Sequence, residues 1–175
     1  MQPWLGRSRP LPRSNVLEEQ ILDARRHDRA AFHCGEPALD AYLHKYAHQQ
    51  AAKGISSIFV LVDDTLPEKI RGFYSLSAAQ IDAQQLGETD RKKLPRYPVP
   101  CFRMGRLARD MEHRGTGVGA MLIGLAVGRC LKAKTHVGAF ALLVDAKNAK
   151  AKAFYQHYGF IACQDAPMTL YLALG

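Results

Sequence analysis

The run Arg114-Gly115-Thr116-Gly117-Val118-Gly119 stands between a β-rich stretch, residues 101–109, and an apolar stretch of helical character, residues 119–132. Glycines between a strand and a helix constrain the backbone strongly. They allow a tight turn whose N–H groups converge on one point, with the positive end of the following helix aimed at the same place. A diphosphate suits such a turn. Taken alone, Arg-x-x-Gly-x-Gly also fits an ordinary glycine-rich turn, and both readings stay open on this segment. The run has neither a Walker lysine nor Gly-x-Gly-x-x-Gly spacing, which argues against a P-loop hydrolase or a dinucleotide-binding Rossmann enzyme.

The rest of the chain supplies a sheet and helices around this turn. Apolar residues at Leu39, Tyr42, Leu43, Tyr46 and Ala47 recur at helical spacing between Pro37 and Gly54, which predicts an amphipathic helix. Residues 58–62 and 70–76 are β-rich, and Asp63, Asp64 and Pro67 between them predict a hairpin. Residues 79–100 turn polar and then proline-rich, as a surface crossing would. The strand 101–109, the helix 119–132, a strand 140–144, a helix 149–158 and a strand 168–172 complete the order. The expected fold class is α/β, with a central mixed, twisted sheet flanked by helices.

Residues 1–15 mix Pro3, Pro10 and Pro12 with Arg7, Arg9 and Arg13, so a loose N-terminal segment is expected there, with one domain over 16–175. The 175 residues are 47% hydrophobic and 23% charged, as in globular proteins rather than disordered or membrane ones. No N-terminal apolar run suggests export, and a cytoplasmic protein without membrane association is expected. Cys34, Cys101, Cys130 and Cys163 form no Cys-x-x-Cys pair and read as reduced, mostly buried thiols; neither they nor the histidines have metal-ligand spacing.

A second pattern begins at Val144 and runs through Asn148, Ala151, Phe154, Tyr155 and Gly159-Phe160. Asn148 and Tyr155 are two helical turns apart and fall on one face, separated by about 10 Å along the axis. That span suits the pantetheine arm of a coenzyme. Read singly, Tyr155 also fits a half-buried packing residue and Asn148 a helix cap.

The ordered set Leu107-Ala108-Arg109-Asp110, Arg114-x-x-Gly117-x-Gly119 and Asn148-x-x-Ala151-x-x-Phe154-Tyr155-x-x-x-Gly159-Phe160 resembles the GNAT acetyltransferase superfamily. A narrower resemblance spans nearly the whole chain. Phe32-His33-Cys34-Gly35-Glu36-Pro37-Ala38-Leu39-Asp40-Ala41-Tyr42-Leu43, Gly72-Phe73-Tyr74-Ser75-Leu76, Leu94-Pro95-Arg96-Tyr97-Pro98-Val99-Pro100 and Gly105-Arg106-Leu107-Ala108 look like the TacT/AtaT-type toxins of toxin–antitoxin pairs.

The resemblance implies a GNAT fold and an enzyme that uses acetyl-CoA, releases coenzyme A, and acetylates the α-amine of aminoacyl-tRNA, blocking translation. It also implies a ribbon-helix-helix antitoxin as partner, contact with DNA only through that antitoxin, and a homodimer. Carried over by motif, the cofactor site comprises Leu107, Ala108, Arg109, Arg114, Gly115, Thr116, Gly117, Val118, Gly119, Asn148 and Tyr155. N–H groups near Leu107 to Arg109 polarise the thioester carbonyl, and Tyr155 protonates the departing thiolate. Arg109 departs from the family, many of whose members carry an apolar residue there, and contact with a coenzyme or tRNA phosphate and a side chain in solvent both stay open for it.

A free α-amine titrates near pKa 7.7–8.0, and esterification of the neighbouring carboxyl lowers that, so a strong general base is not required. Glu112 and His113 are read as loop residues. The formal charge of +8 favours polyanionic partners. Its densest cluster, Arg91, Lys92, Lys93 and Arg96, is the candidate tRNA-phosphate contact, against the reading of a solvated loop. Two other functions fit the residues: a GNAT enzyme acting on a small amine or protein N-terminus, and a degenerate GNAT module serving as a DNA corepressor with an antitoxin.

Overall fold

The computed structural model describes residues 16–175. The 1–15 segment, expected to be loose, lies outside the described residues. One seven-stranded sheet organises the chain, in the order β1-β2-β3-β4-β5-β7-β6. Its strands are β1 (Leu17–Ile21), β2 (Ser57–Asp63), β3 (Leu66–Ile81), β4 (Val99–Arg109), β5 (Ala141–Asp145), β6 (Ile161–Ala162) and β7 (Thr169–Ala173). All pairings are antiparallel except β4 with β5, which is parallel.

Helix α1 (Pro37–Ala41) runs through a π-helical turn (Tyr42–Tyr46) into α2 (Ala47–Ala52). A short α3 (Glu88–Arg91) precedes β4, α4 (Val118–Ala133) follows it, and α5 (Ala149–His157) follows β5. Among the described residues no helix is long and apolar enough to cross a membrane.

Both faces of the sheet are covered, and period-two alternation sorts side chains between them. On one face, Phe59, Leu61, Tyr74, Met104, Leu142 and Val144 pack with Leu122, Ala126 and Tyr155 of α4 and α5. On the other, Ile58, Val60, Phe73 and Ala108 pack with Tyr42, Leu43 and Ala47. Farther along that second face, Val99, Cys101, Ala141 and Leu143 pack with Ala83 and Leu86. Cys101, Cys130 and Cys163 are buried thiols and Cys34 is partly so, all four free.

The structure corrects the expected element list in four places. Strand β1 was not expected because Glu18, Glu19 and Gln20 make Leu17–Ile21 look polar. Its Glu19 is satisfied by an ion pair with Arg129 and a hydrogen bond from the Tyr74 hydroxyl, contacts made across the fold. β3 reaches Ile81, well into the expected crossing, and that crossing also contains α3. The two-residue β6 was too short to signal itself. Finally, the π-helical turn interrupts what periodicity presents as one regular helix.

Gly72 lets α4 lie close against β3. A Cβ there would stand 2.9 Å from Leu122 Cδ1, 3.2 Å from the Ala108 carbonyl oxygen and 3.3 Å from Val118 Cγ1. The carbonyl belongs to the sheet and cannot give way easily. Gly72→Ala is therefore expected to cost roughly 1–3 kcal/mol by overpacking. A urea titration checks this, and an unchanged midpoint would mean that α4 shifts freely on the sheet.

Candidate active site

Strands β4 and β5 form a fork. They pair only through residues 101–104 and 141–144, after which β4 continues to Arg109 bonded to β3 alone. The divergence has a local cause. Ser75 pairs with Arg106 but Leu76 pairs with Met104, so Gly105 is an extra residue in β4, and such a bulge bends the strand that carries it. A Cβ on Gly105 would stand 3.3 Å from Ser75 Oγ, close enough to disturb the bulge. Below it, Arg103 forms an ion pair with Asp145, whose other oxygen accepts a hydrogen bond from Thr169 Oγ1 at 2.8 Å. These contacts tie the fork at its apex.

Hydrogen-bond alternation determines which amides face the open side. Asp110 donates its N–H to the Arg71 carbonyl at 2.8 Å, and Phe73 is the register partner of Ala108. In an antiparallel ladder the N–H groups therefore point toward β3 at Ala108 and away from it at Leu107 and Arg109. The Ala108 carbonyl beside Gly72 agrees. This corrects the expectation for Ala108: its N–H belongs to the sheet and its side chain to the core. Leu107 and Arg109 remain as donors into the fork, with side chains on the α4–α5 face.

The glycine turn joins β4 to α4. Gly115 and Gly117 have φ of +75° and +82°, a left-handed backbone open to glycine at little cost. The first helical bond runs from Met121 N–H to the Gly117 carbonyl at 3.0 Å, so the N–H groups of Val118, Gly119 and Ala120 have no partner inside α4. Val118 is buried beneath the turn, and Gly119 lies close to Phe154, whose ring would be 3.4 Å from a Cβ there. Arg114 is exposed at the rim. Thr116 donates its hydroxyl to the His113 carbonyl at 2.6 Å, so that side chain closes the turn. Glu112 pairs with Lys69 at 2.7 Å and Arg71 at 3.3 Å, anchoring the preceding residues to β3 and holding its own carboxyl below the usual range.

Helix α5 forms the opposite wall. Asn148 caps it, its Oδ1 accepting the Ala151 N–H at 2.9 Å, which leaves the amide nitrogen as its free donor. Tyr155 sits two turns on, edge-to-face with Phe154 and Phe160 at 5.5 Å each. Burial first, then the negative charge of Asp145, pushes its phenol up to about 12. Its hydroxyl has no hydrogen-bond partner among the described residues. It is therefore a protonated donor without an internal acceptor.

The fork's mouth also carries a segment that sequence reasoning did not assign. The His33 carbonyl accepts Met111 N–H at 2.9 Å and Glu36 pairs with Lys147 at 2.9 Å, so residues 33–36 span from the end of β4 to the start of α5. A glycine inside a β-rich run was the available signal for the Gly105 bulge. Residues 33–36 lie within the Phe32–Leu43 motif, but their contacts with β4 and α5 are long-range and left no local signal.

The structure does not bring Arg91, Lys92, Lys93 and Arg96 to the glycine turn. They precede β4, whose 11 residues place them about 35 Å from its far end. They flank the sheet face opposite α4 and α5. Lys92 forms an exposed ion pair with Glu88 at 2.9 Å, and Lys93 and Arg96 are exposed.

Residues 54–162 match the acetyltransferase (GNAT) domain family. A tRNA-acetylating toxin of Mycobacterium tuberculosis is 36% identical over 155 residues, covering 89% of this chain and 90% of its own length. Among solved structures, AtaT complexed with acetyl-methionyl-tRNAfMet superposes with a TM-score of 0.85 at 30% identity, covering 90% of this chain and 95% of that one. A tyrosine-to-phenylalanine mutant of AtaT bound to acetyl-CoA and the C-terminus of its antitoxin AtaR gives 0.77 at 28%, covering 90% and 93%.

Proposed function

The chain belongs to the GNAT acetyltransferase family, and on that premise we propose that it is a toxin that acetylates the α-amine of aminoacyl-tRNA and so blocks translation. The observation that carries the chemistry is the fork, with Leu107 N–H directed into it, unpartnered amides at one end and the Tyr155 phenol on its wall. Similarity to a tRNA-acetylating toxin along nine-tenths of the chain carries the substrate.

Acetyl-CoA supplies an activated acyl group. The N–H groups of Val118, Gly119 and Ala120, with the α4 dipole, hold its diphosphate, and Arg114 adds charge at the rim. Asn148 and the Arg109 N–H serve the pantetheine arm. Leu107 N–H polarises the acyl carbonyl, which matters most as negative charge grows on that oxygen. The neutral α-amine forms the new C–N bond as the C–S bond breaks. Tyr155 gives its proton to the departing sulfur and regains one from solvent, which takes up the proton that the amine loses.

Residues 16–175 act as one catalytic domain, as a cytoplasmic homodimer neutralised by a ribbon-helix-helix antitoxin that alone touches DNA. Mass spectrometry of charged tRNA incubated with enzyme and acetyl-CoA tests the reaction. An acetyl group on the aminoacyl moiety is expected. Acetylation only of free amines or protein N-termini, or no transfer at all, would defeat the proposal.

The basic cluster contacts tRNA phosphates at a distance from the chemistry. Replacing Lys92 and Lys93 by alanine should weaken binding similarly across different tRNAs, flatten its salt dependence and leave acetyl-CoA affinity unchanged. Superimposable salt slopes would return the cluster to solvent.

A further inference from the structure

Aromatic side chains of α5 and the body of α4 close one face of the fork. The opposite face, between the Tyr42–Phe73 cluster and the Ala83–Leu86 cluster, leaves Gly105 and Arg106 exposed. The bulge is open to solvent from that side. The bulge breaks alternation along β4: Met104 packs toward α4, whereas Arg106, two residues on, shares the face of Ala108.

Its guanidinium lies 4.7 Å from the centroid of the Tyr42 ring and donates to the Gly105 carbonyl at 2.8 Å. Tyr42 is fixed in turn. It is buried at the π-helical turn, stacks on Phe73 at 6.2 Å and donates its hydroxyl to Gln50 at 3.0 Å. Arg103, on the same sheet face, is committed to Asp145, whereas Arg106 has no carboxylate partner among the described residues. Stacking restricts a guanidinium without neutralising it, and leaves N–H donors free for an oxyanion.

We propose that Arg106, held by Tyr42, binds the phosphodiester preceding the 3′-terminal nucleotide of aminoacyl-tRNA and thereby positions the α-amine at the bulge. This rests on the tRNA reading above and adds a specific residue to it. It explains how a distant basic cluster and the acyl site act on one molecule, the cluster holding the body of the RNA and Arg106 fixing its last linkage.

The test compares Arg106→Gln with wild type on two acceptors: charged tRNA, and a 3′-aminoacyl adenosine that lacks the phosphate. Arg106 is exposed, so the variant is expected to fold. On charged tRNA, KM should rise about tenfold, the size of one charge-assisted contact, and the salt slope should fall by about one phosphate's share. KM for the aminoacyl adenosine and affinity for acetyl-CoA should not move. Equal losses on both acceptors would overturn the proposal, since Arg106 would then act by supporting the Gly105 carbonyl, and so would an unchanged KM on tRNA. A wild-type enzyme inert toward charged tRNA would overturn the tRNA reading and this inference together, whereas an active wild type with an unaffected variant defeats this inference alone.

Discussion

Tyr155→Phe is expected to lower turnover by about 10²- to 10⁴-fold, the usual range for losing a positioned general acid, with little change in acetyl-CoA affinity. The substitution keeps the ring that packs between Phe154 and Phe160 and removes only the hydroxyl. That hydroxyl has no partner within the described residues, so no internal hydrogen bond is lost.

Burial and the charge of Asp145 both disfavour the phenolate and push the phenol up to about 12. The sign follows directly: the proton is present throughout the working range and is lost only as pH rises toward that value. In wild type the rate should climb with the neutral fraction of the acceptor amine and level off above pH ~8, with no alkaline fall over the range in which the aminoacyl ester survives. The phenylalanine variant should keep the same climb at a uniformly lower rate. Single-turnover acetyl transfer across pH measures both. Normal turnover in the variant would remove Tyr155 from the acid role.

Gly117→Glu should reduce acetyl-CoA binding by about 100-fold or more. Nothing lies within 4 Å of a Cβ at this position, so no protein atom opposes the new side chain. The backbone does, because φ is +82° and an L-residue there costs about 1–2 kcal/mol. The larger effect is electrostatic. A carboxylate at the N-cap occupies the place where the free N–H groups of Val118, Gly119 and Ala120 and the helix dipole favour the coenzyme's own anion. Gly117→Ala carries the strain without the charge and should keep most of the affinity. Calorimetry on both folded variants, after circular dichroism, makes the comparison. Unchanged affinity in the glutamate variant would sink the assignment of this turn to the diphosphate.

Some of these features were legible in the chain because they depend on neighbours in sequence. The glycine turn, the helices on either side of β5, the placement of Asn148 and Tyr155 on one helix, and the buried hairpin all follow from spacing of one to seven residues. Local backbone geometry and side-chain periodicity act over that range. Of the two readings of Asn148, the helix cap is what the structure shows, and the amide donor stays free.

Other features required the folded molecule. Strand β1 is an edge strand whose acidic middle is stabilised by Arg129 and Tyr74, far away in sequence. The direction of the amides at Leu107, Ala108 and Arg109 depends on the phase of pairing with β3, and one residue of phase exchanges donors for core. The bulge at Gly105 resets that phase relative to the rest of β4 and opens the fork, and Arg106 lies on the face of Ala108. Sequence by itself determined which residues meet within a turn or a helix, the glycine turn and the Asn148–Tyr155 face, and, through the order of elements, the mixed sheet. Tertiary structure alone decided which amides point into the fork and on which sheet face Arg106 lies, because strand register and long-range contacts, rather than local propensity, fix those directions.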